Sequence, residues 1–259
     1  MIFTNYSSDE FKFFEKANRI VAETLSILQK AVKPGITTLE LDKIAEDYIL
    51  RQDAKPAFKG YGYTKNRFPA TICASVDEVV VHGIPNNKPL EEGQILSIDV
   101  GAEYKGFYGD SAITCLVGEV SEEKKLLVVR TEEALFKGIE KAITGNKVYD
   151  VARAIQEYVE NFGYNVTREL VGHGIGNKLH DEPPVPNFVP LLLHRNQFPN
   201  VRLQKGMAIA IEPMVHMGGK ETIQCDDGWT IITKDRRPAA HWEHTIIVEN
   251  GKPIIMTLR

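Results

Sequence analysis

Three carboxylates stand beside apolar segments of the kind that form buried strands. Asp99 follows residues 95–98, Ile-Leu-Ser-Ile, and Glu212 follows residues 208–211, Ala-Ile-Ala-Ile. Glu243 lies shortly before a third apolar segment. An unpaired carboxylate in such a place costs several kcal/mol or becomes protonated, so each of the three needs a compensating partner.

A fourth carboxylate, Asp110, is predicted to lie directly across from Asp99 in a β-hairpin. Three glycines follow Asp99, and a turn centred on Tyr104-Lys105 would bring the two acids opposite each other. Like charges opposite each other destabilise a sheet. A divalent cation held by both carboxylates reverses that penalty. The alternative for Asp110 alone is a solvated turn, which is the common position of an aspartate beside glycine.

His173 lies in the segment Gly172-His173-Gly174-Ile175-Gly176, where small residues allow a close approach of backbone and imidazole. An isolated histidine in such a segment is more often structural than a ligand. The glycines do not form a dinucleotide-binding fingerprint. Four acids and one histidine are too many acids for a single zinc, but they suit two ions that share bridging carboxylates and a hydroxide.

The elements that must position these residues alternate between helices and strands. Two S/T-x-x-E capping boxes, at Ser7–Glu10 and at Thr37–Glu40, predict helices that run to about Val32 and Arg51. The remaining pattern predicts helices at 121–144 and 148–162 and strands at 70–81, 95–100, 206–215 and 245–248.

The chain also contains a weak internal repeat. Residues 35–49 align without gaps on 145–159, and residues 93–99 align on 206–212. Chance similarity between amphipathic helices is an alternative for the first match. Two halves related by approximate two-fold symmetry would bring Asp99 and Glu212 together at the centre.

Composition excludes several classes of protein. The 259 residues are 43% hydrophobic and 25% charged, with a net charge of −4, so no positive field gathers nucleic acid or an anionic membrane. No apolar run reaches the roughly 20 residues of a membrane span, and the first residues do not resemble a signal peptide, so we expect a cytoplasmic protein. The spacing of Cys73, Cys115 and Cys225 fits neither a disulfide framework nor a zinc site, and Cys115 and Cys225 are predicted to be small buried hydrophobes.

Seven segments in this order resemble the type I methionine aminopeptidases over nearly the whole chain. The matching segments are 81–85, VHGIP; 98–101, IDVG; 109–112, GDSA; 172–176, GHGIG; 211–214, IEPM; 227–230, DGWT; and 243–246, EHTI. The resemblance implies an α+β pita-bread fold, in which residues 1–259 form a single catalytic domain with halves of roughly 10–120 and 121–259. It implies removal of the N-terminal methionine from peptides and nascent polypeptides.

By the same resemblance, five residues hold two divalent ions of Co, Mn, Fe or Zn, because carboxylate-rich sites accept each of these metals. Asp99 chelates one ion, His173 and Glu212 hold the other, and Asp110 and Glu243 bridge both.

The resemblance also implies roles in catalysis and substrate binding. Glu212 transfers protons, and His82 and His180 contact the scissile peptide. Either histidine has an alternative as an ordinary loop residue. The residues that match an apolar, sulfur-compatible pocket for the methionine side chain are Tyr61, Phe68, Cys73, His82 and Trp229.

Two insertions and one substitution depart from the family pattern. Extra residues at 62–67 interrupt the pocket segment, and Leu179 occupies a position that is commonly aromatic. A second insertion, at about 188–200, carries an apolar patch and is expected near the edge of the site as a lid, a partner contact or a packed loop.

Rival interpretations remain at this stage. One is a prolidase-type enzyme of the same fold, and another is a non-catalytic relative that binds a peptide or macromolecule. All five candidate ligands are present, which disfavours the second. A monomer is expected from fold analogy, and association with the ribosome is left open.

Overall fold

The computed structural model describes residues 1–62 and 66–259. Four α-helices and one 3₁₀ turn occur in this part of the chain: α1 Asp9–Ala31, α2 Thr38–Arg51, α3 Glu122–Lys141, α4 Val148–Glu160 and the 3₁₀ turn Leu192–His194. The strands are β1 Lys55–Pro56, β2 Ile72–Val76, β3 Val79–Val81, β4 Ile95–Tyr104, β5 Phe107–Leu116, β6 Asn165–Val166, β7 Gly172–Gly174, β8 Asp181–Val185, β9 Ala208–Ile211, β10 Met214–His216, β11 Thr222–Gln224, β12 Ile231–Thr233, β13 Ala239–His241, β14 His244–Ile247 and β15 Ile254–Ile255. None of these helices combines the length and the apolar composition that a membrane span requires.

The four predicted helices are confirmed, and one of the two predicted capping boxes is wrong. At α2 the Thr37 hydroxyl accepts from the backbone N–H of Glu40 at 3.1 Å, and the Glu40 carboxylate accepts from the N–H of Thr37 at 2.8 Å. At α1 the capping residue is Ser8 and not Ser7, because the N–H of Ser7 is held by Asn5 in the preceding turn.

The longest hairpin of the described chain, β4 with β5, has a register that corrects the prediction. Its two-residue turn is Lys105-Gly106, with positive φ at both positions (50° and 84°), as the favoured hairpin turns require. Asp99 therefore pairs with Ala112, and Asp110 pairs with Gly101. The two carboxylates are diagonal neighbours and not opposite each other, but the two-residue offset keeps them on one face of the sheet.

A five-stranded sheet in the order β15-β14-β9-β7-β8 carries the other candidate ligands. His173 lies within β7, Glu212 follows β9, and Glu243 precedes β14. The predicted strand at 206–215 is broken at Glu212-Pro213, since proline cannot donate a hydrogen bond to the ladder. The break leaves the Glu212 carboxylate at a strand end.

The segments that align in sequence have matching backbone geometry. Gly35 and Gly145, which precede α2 and α4, have φ of 91° and 95°. Gly93 and Gly206, which precede β4 and β9, have φ of 89° and 81°. α1 packs against β4 and β5, α3 packs against α4, and one hydrophobic cluster contains residues from both parts of the chain.

All three cysteines are free thiols, but only two are buried. Cys73 and Cys115 lie in the interior, whereas Cys225 is partly exposed. The prediction of a buried hydrophobe is therefore wrong for Cys225, which follows β11 in a turn where its N–H donates to the carbonyl of Thr230.

Candidate metal centre

One cavity of about 380 Å³ is lined by every residue that the sequence analysis selected for chemistry or substrate binding. The five candidate metal ligands lie at its floor and the remaining candidates at its walls: Asp99, Asp110, His173, Glu212 and Glu243 in the first set, and Tyr61, Phe68, Cys73, His82, His180 and Trp229 in the second. The structure thus brings together residues that are up to 182 positions apart in sequence.

The ligand atoms form overlapping groups of three. One oxygen each of Asp99, Asp110 and Glu243 lie within 4.8 Å of one another, and the same limit holds for His173, Glu212 and Glu243. Glu243 belongs to both groups. The arrangement can therefore hold two neighbouring cations with Glu243 between them.

Several of these ligand atoms are buried without a hydrogen-bond partner. They are Oδ1 of Asp99, Oδ1 of Asp110 and Oε1 of Glu243. Leaving a buried acceptor unpaired is costly, and hard anionic oxygens are the donors that divalent cations prefer. The donor set therefore fits divalent metal ions.

The raised pKa values of the four carboxylates also indicate that the centre binds cations. Burial raises the pKa of Asp99 to about 7. Burial, and then the neighbouring carboxylates, raise the pKa of Asp110 and of Glu243 well above the ordinary range. Burial does the same to the pKa of Glu212, with a further contribution from Asp99. Cations at the centre would remove this mutual repulsion.

His173 is held in the tautomer that suits a metal ligand. Its Nδ1 lies 3.0 Å from the carbonyl oxygen of Gly174 and donates to it, so the lone pair is on Nε2. That Nε2 lies 3.6 Å from Oε1 of Glu212 and 3.8 Å from Oδ2 of Asp110. Burial lowers the pKa of His173 to about 3, which keeps the imidazole neutral.

Gly174 permits the close strand approach that positions His173. A Cβ at this residue would lie 2.1 Å from the carbonyl oxygen of Glu182 in β8, closer than any real contact. Only glycine fits between β7 and β8 here.

The two other candidate histidines lie at the cavity wall. His180 is exposed, its Nδ1 is 2.6 Å from the Tyr61 hydroxyl, and its ring centre is 4.4 Å from that of His173. The structure also places His180 within 4.8 Å of ligand atoms of Asp110 and His173, which the sequence did not indicate. Burial, and then the nearby His180, lower the pKa of His82 to about 4.

An apolar wall faces the metal ligands. Phe68 and Trp229 meet edge to face, with ring centres 5.3 Å apart, and Cys73 pairs with Asp99 across β2 and β4. Leu179 packs in the same apolar cluster as Phe68 and Cys73. Phe58 also belongs to this cluster and was not identified from the sequence, where an isolated phenylalanine carries no distinguishing signal.

The two insertions lie differently with respect to the cavity. Of the first, residues 63–65 lie outside the described residues, and Asn66 donates to the carbonyl of Asp227 at 3.0 Å, next to the turn that carries Trp229. Of the second, none of the described side chains from 188 to 200 lines the cavity. Its leucines at 191, 192 and 193 are 73%, 77% and 89% exposed, and Leu191 borders a separate groove.

One residue at the centre was missed by the sequence analysis. His241 is 2% exposed, and its Nε2 has no hydrogen-bond partner and lies 3.7 Å from Oε2 of Glu212. Its position two residues before Glu243 is the signal that would have drawn attention to it.

Comparisons with known proteins agree with this chemistry. The sequence profile of metallopeptidase family M24 matches residues 12–250. A methionine aminopeptidase of Clostridium acetobutylicum is 46% identical over 255 residues, 96% of each chain. Methionine aminopeptidase 1 of Bacillus subtilis is 47% identical over 247 residues, 95% of this chain and 96% of that one. The crystal structure of methionine aminopeptidase from Rickettsia prowazekii superposes with a TM-score of 0.91 at 38% identity and covers both chains completely.

Proposed function

The chain belongs to metallopeptidase family M24 and has its pita-bread fold, and from this premise we propose that it is a methionine aminopeptidase. It removes the N-terminal methionine from peptides and newly made proteins. The observation that carries the proposal is the convergence of four carboxylates and one imidazole, three of the carboxylates with buried unpaired oxygens, beside an apolar pocket in one cavity.

Two divalent ions, of Co, Mn, Fe or Zn, complete the centre. Asp99 would hold one, His173 and Glu212 would hold the other, and Asp110 and Glu243 would be shared by both. The overlap of the two ligand groups at Glu243 supports this assignment. Paired divalent ions lower the pKa of a bound water and polarise a carbonyl group when they are present.

Three side chains handle protons and hydrogen bonds around the scissile peptide. Glu212 lines the cavity beside His173, where its carboxylate is placed to take a proton and return it to the leaving amine. His82 and His180 are imidazoles with lowered pKa at the cavity wall, so they donate hydrogen bonds to the peptide as neutral groups. The Tyr61 hydroxyl forms a hydrogen bond with Nδ1 of His180 and so orients the imidazole ring.

The methionine side chain of the substrate packs against the apolar wall of the cavity. Phe68, Cys73 and Trp229 surround it, and Tyr61, His82 and His180 close the pocket toward the scissile bond. The thiol of Cys73 stays neutral, because burial raises its pKa well above the ordinary value. A buried, uncharged pocket of this kind favours a thioether side chain over a charged one.

We further propose that residues 1–259 act as one cytoplasmic catalytic domain with halves of roughly 10–120 and 121–259. The shared hydrophobic cluster and the matched glycines support this division. The domain acts as a monomer on N-terminal methionine peptides and nascent polypeptides.

The test is the release of free amino acid by chelator-stripped protein after reconstitution with Mn²⁺ or Co²⁺. The peptides are Met-Ala-Ser, Leu-Ala-Ser and Ala-Pro-Ser. We expect metal-dependent cleavage confined largely to Met-Ala-Ser. Preference for the proline peptide would support a prolidase-type enzyme, and absence of cleavage from all three would support a binding protein.

A further inference from the structure

The backbone of His241 is held by hydrogen bonds at both its N–H and its carbonyl group. It ends β13, where its N–H lies 3.2 Å from the Ser97 hydroxyl oxygen and 3.0 Å from that of Thr114. Its carbonyl oxygen accepts from the Thr114 hydroxyl at 2.8 Å. Because Ser97 lies on β4 two residues before Asp99, the strand that carries a metal ligand also anchors His241.

The Nε2 atom of the His241 side chain has no protein hydrogen bond. Its Nε2 is buried and unpaired, and a buried unpaired donor costs free energy. The polar group it faces is Oε2 of Glu212, at 3.7 Å. The other oxygen of the same carboxylate, Oε1, faces Nε2 of His173 at 3.6 Å. The Glu212 carboxylate therefore lies between two imidazoles, one for each oxygen.

His241 is placed to act on Glu212 and not on an ion. Within residues 1–62 and 66–259, no group of three potential ligand atoms within 4.8 Å of one another includes His241. Donation to Oε2 requires a proton on Nε2, which one of the two neutral tautomers of imidazole supplies.

We infer that His241 is a positioning residue whose Nε2–H donates to Oε2 of Glu212 and so turns Oε1 toward the metal position shared with His173. The inference requires the 3.7 Å between these two atoms to shorten to hydrogen-bond distance. The inference rests on the proposed function for the assignment of Glu212 as a metal ligand. Partners that orient a ligand in this way typically contribute about 10- to 100-fold to metal affinity.

The experiment compares variants that differ in the donor and not in size. His241→Gln keeps an N–H donor on an unbranched side chain, and His241→Met has a similar reach without one. His244→Gln is the matched control, because His244 is equally buried on the other side of Glu243 but bonds to Thr257 at 2.8 Å. The dissociation constant for Mn²⁺ is measured calorimetrically on chelator-stripped protein, and thermal unfolding of each metal-free variant is recorded.

We expect His241→Met to weaken Mn²⁺ binding about 10- to 100-fold, and His241→Gln and His244→Gln to remain within about threefold of the wild type. Wild-type affinity in His241→Met, or equal weakening in His241→Gln, would overturn the inference. Should His241→Met fail to fold, ¹⁵N NMR of the wild type decides: a protonated Nε2 on His241 is expected, and an unprotonated one overturns the assignment. Both readouts are independent of peptide cleavage, so a failure of the proposed activity is seen separately.

Discussion

The buried carboxylates should make the metal-free protein lose stability as the pH rises. The pKa of Asp99 in the folded protein is about 7, against an ordinary value of 3.8, because the side chain is buried. The native state therefore keeps a proton that the unfolded chain has already released. Stability from this group is present in full below about pH 4 and is lost as the pH rises through about 7.

Asp99→Asn removes the contribution of Asp99 to this dependence. For one group with these two pKa values, the stability of the variant relative to the wild type should rise by about 2 to 3 kcal/mol between pH 5 and pH 8. The measurement is urea unfolding of both chelator-stripped proteins at each pH unit in this range. Asp47→Asn, at an exposed position of α2, is the control and should follow the wild type.

Parallel stability curves for wild type and Asp99→Asn would refute this reasoning. Added Mn²⁺ should stabilise the wild type more at pH 8 than at pH 5, since the ion binds the ionised carboxylates. Equal stabilisation at both pH values would also contradict it.

Two further substitutions test separate parts of the account. His180→Ala should lower kcat for a methionine peptide about 100-fold or more. The amount of bound metal, measured by atomic absorption, should change little. An equal loss of metal would contradict a role of His180 at the peptide. Gly174→Ala should destabilise the fold by about 3 kcal/mol or more in urea unfolding, because its Cβ would meet the Glu182 carbonyl at 2.1 Å. Gly219→Ala is the control, since its Cβ would meet only side-chain oxygens, of Glu221 at 3.0 Å and of Asp235 at 3.6 Å. A similar loss there would contradict the explanation.

The sequence predicted the elements well where side-chain pattern determines them. The four helices follow from apolar periodicity and polar caps, and α2 begins at the predicted Thr37 capping box. The hairpin register was wrong because it depends on the backbone conformation of Lys105-Gly106, which alternation alone does not reveal. The observed register differs from the predicted one by two residues, so Asp99 pairs with Ala112 and not with Asp110. Both carboxylates nevertheless lie on the same face of the sheet.

The candidate site was predictable to the extent that its residues have distinctive neighbours. Asp99 and Glu212 end apolar segments, and His173 is flanked by glycines, so each is visible in the sequence. His241 was not, since its function depends on a contact with Glu212 that arises only when β9 and β13 are assembled. The proximity of His180 to the ligand groups likewise requires the folded cavity.

The most direct test of the central claim is anomalous X-ray diffraction from crystals of the Mn²⁺-reconstituted protein. We predict two manganese peaks in the cavity, one beside Asp99 and the other beside His173 and Glu212, with Asp110 and Glu243 touching both. A single peak, or peaks away from these five residues, would contradict the claim that they hold a dinuclear centre.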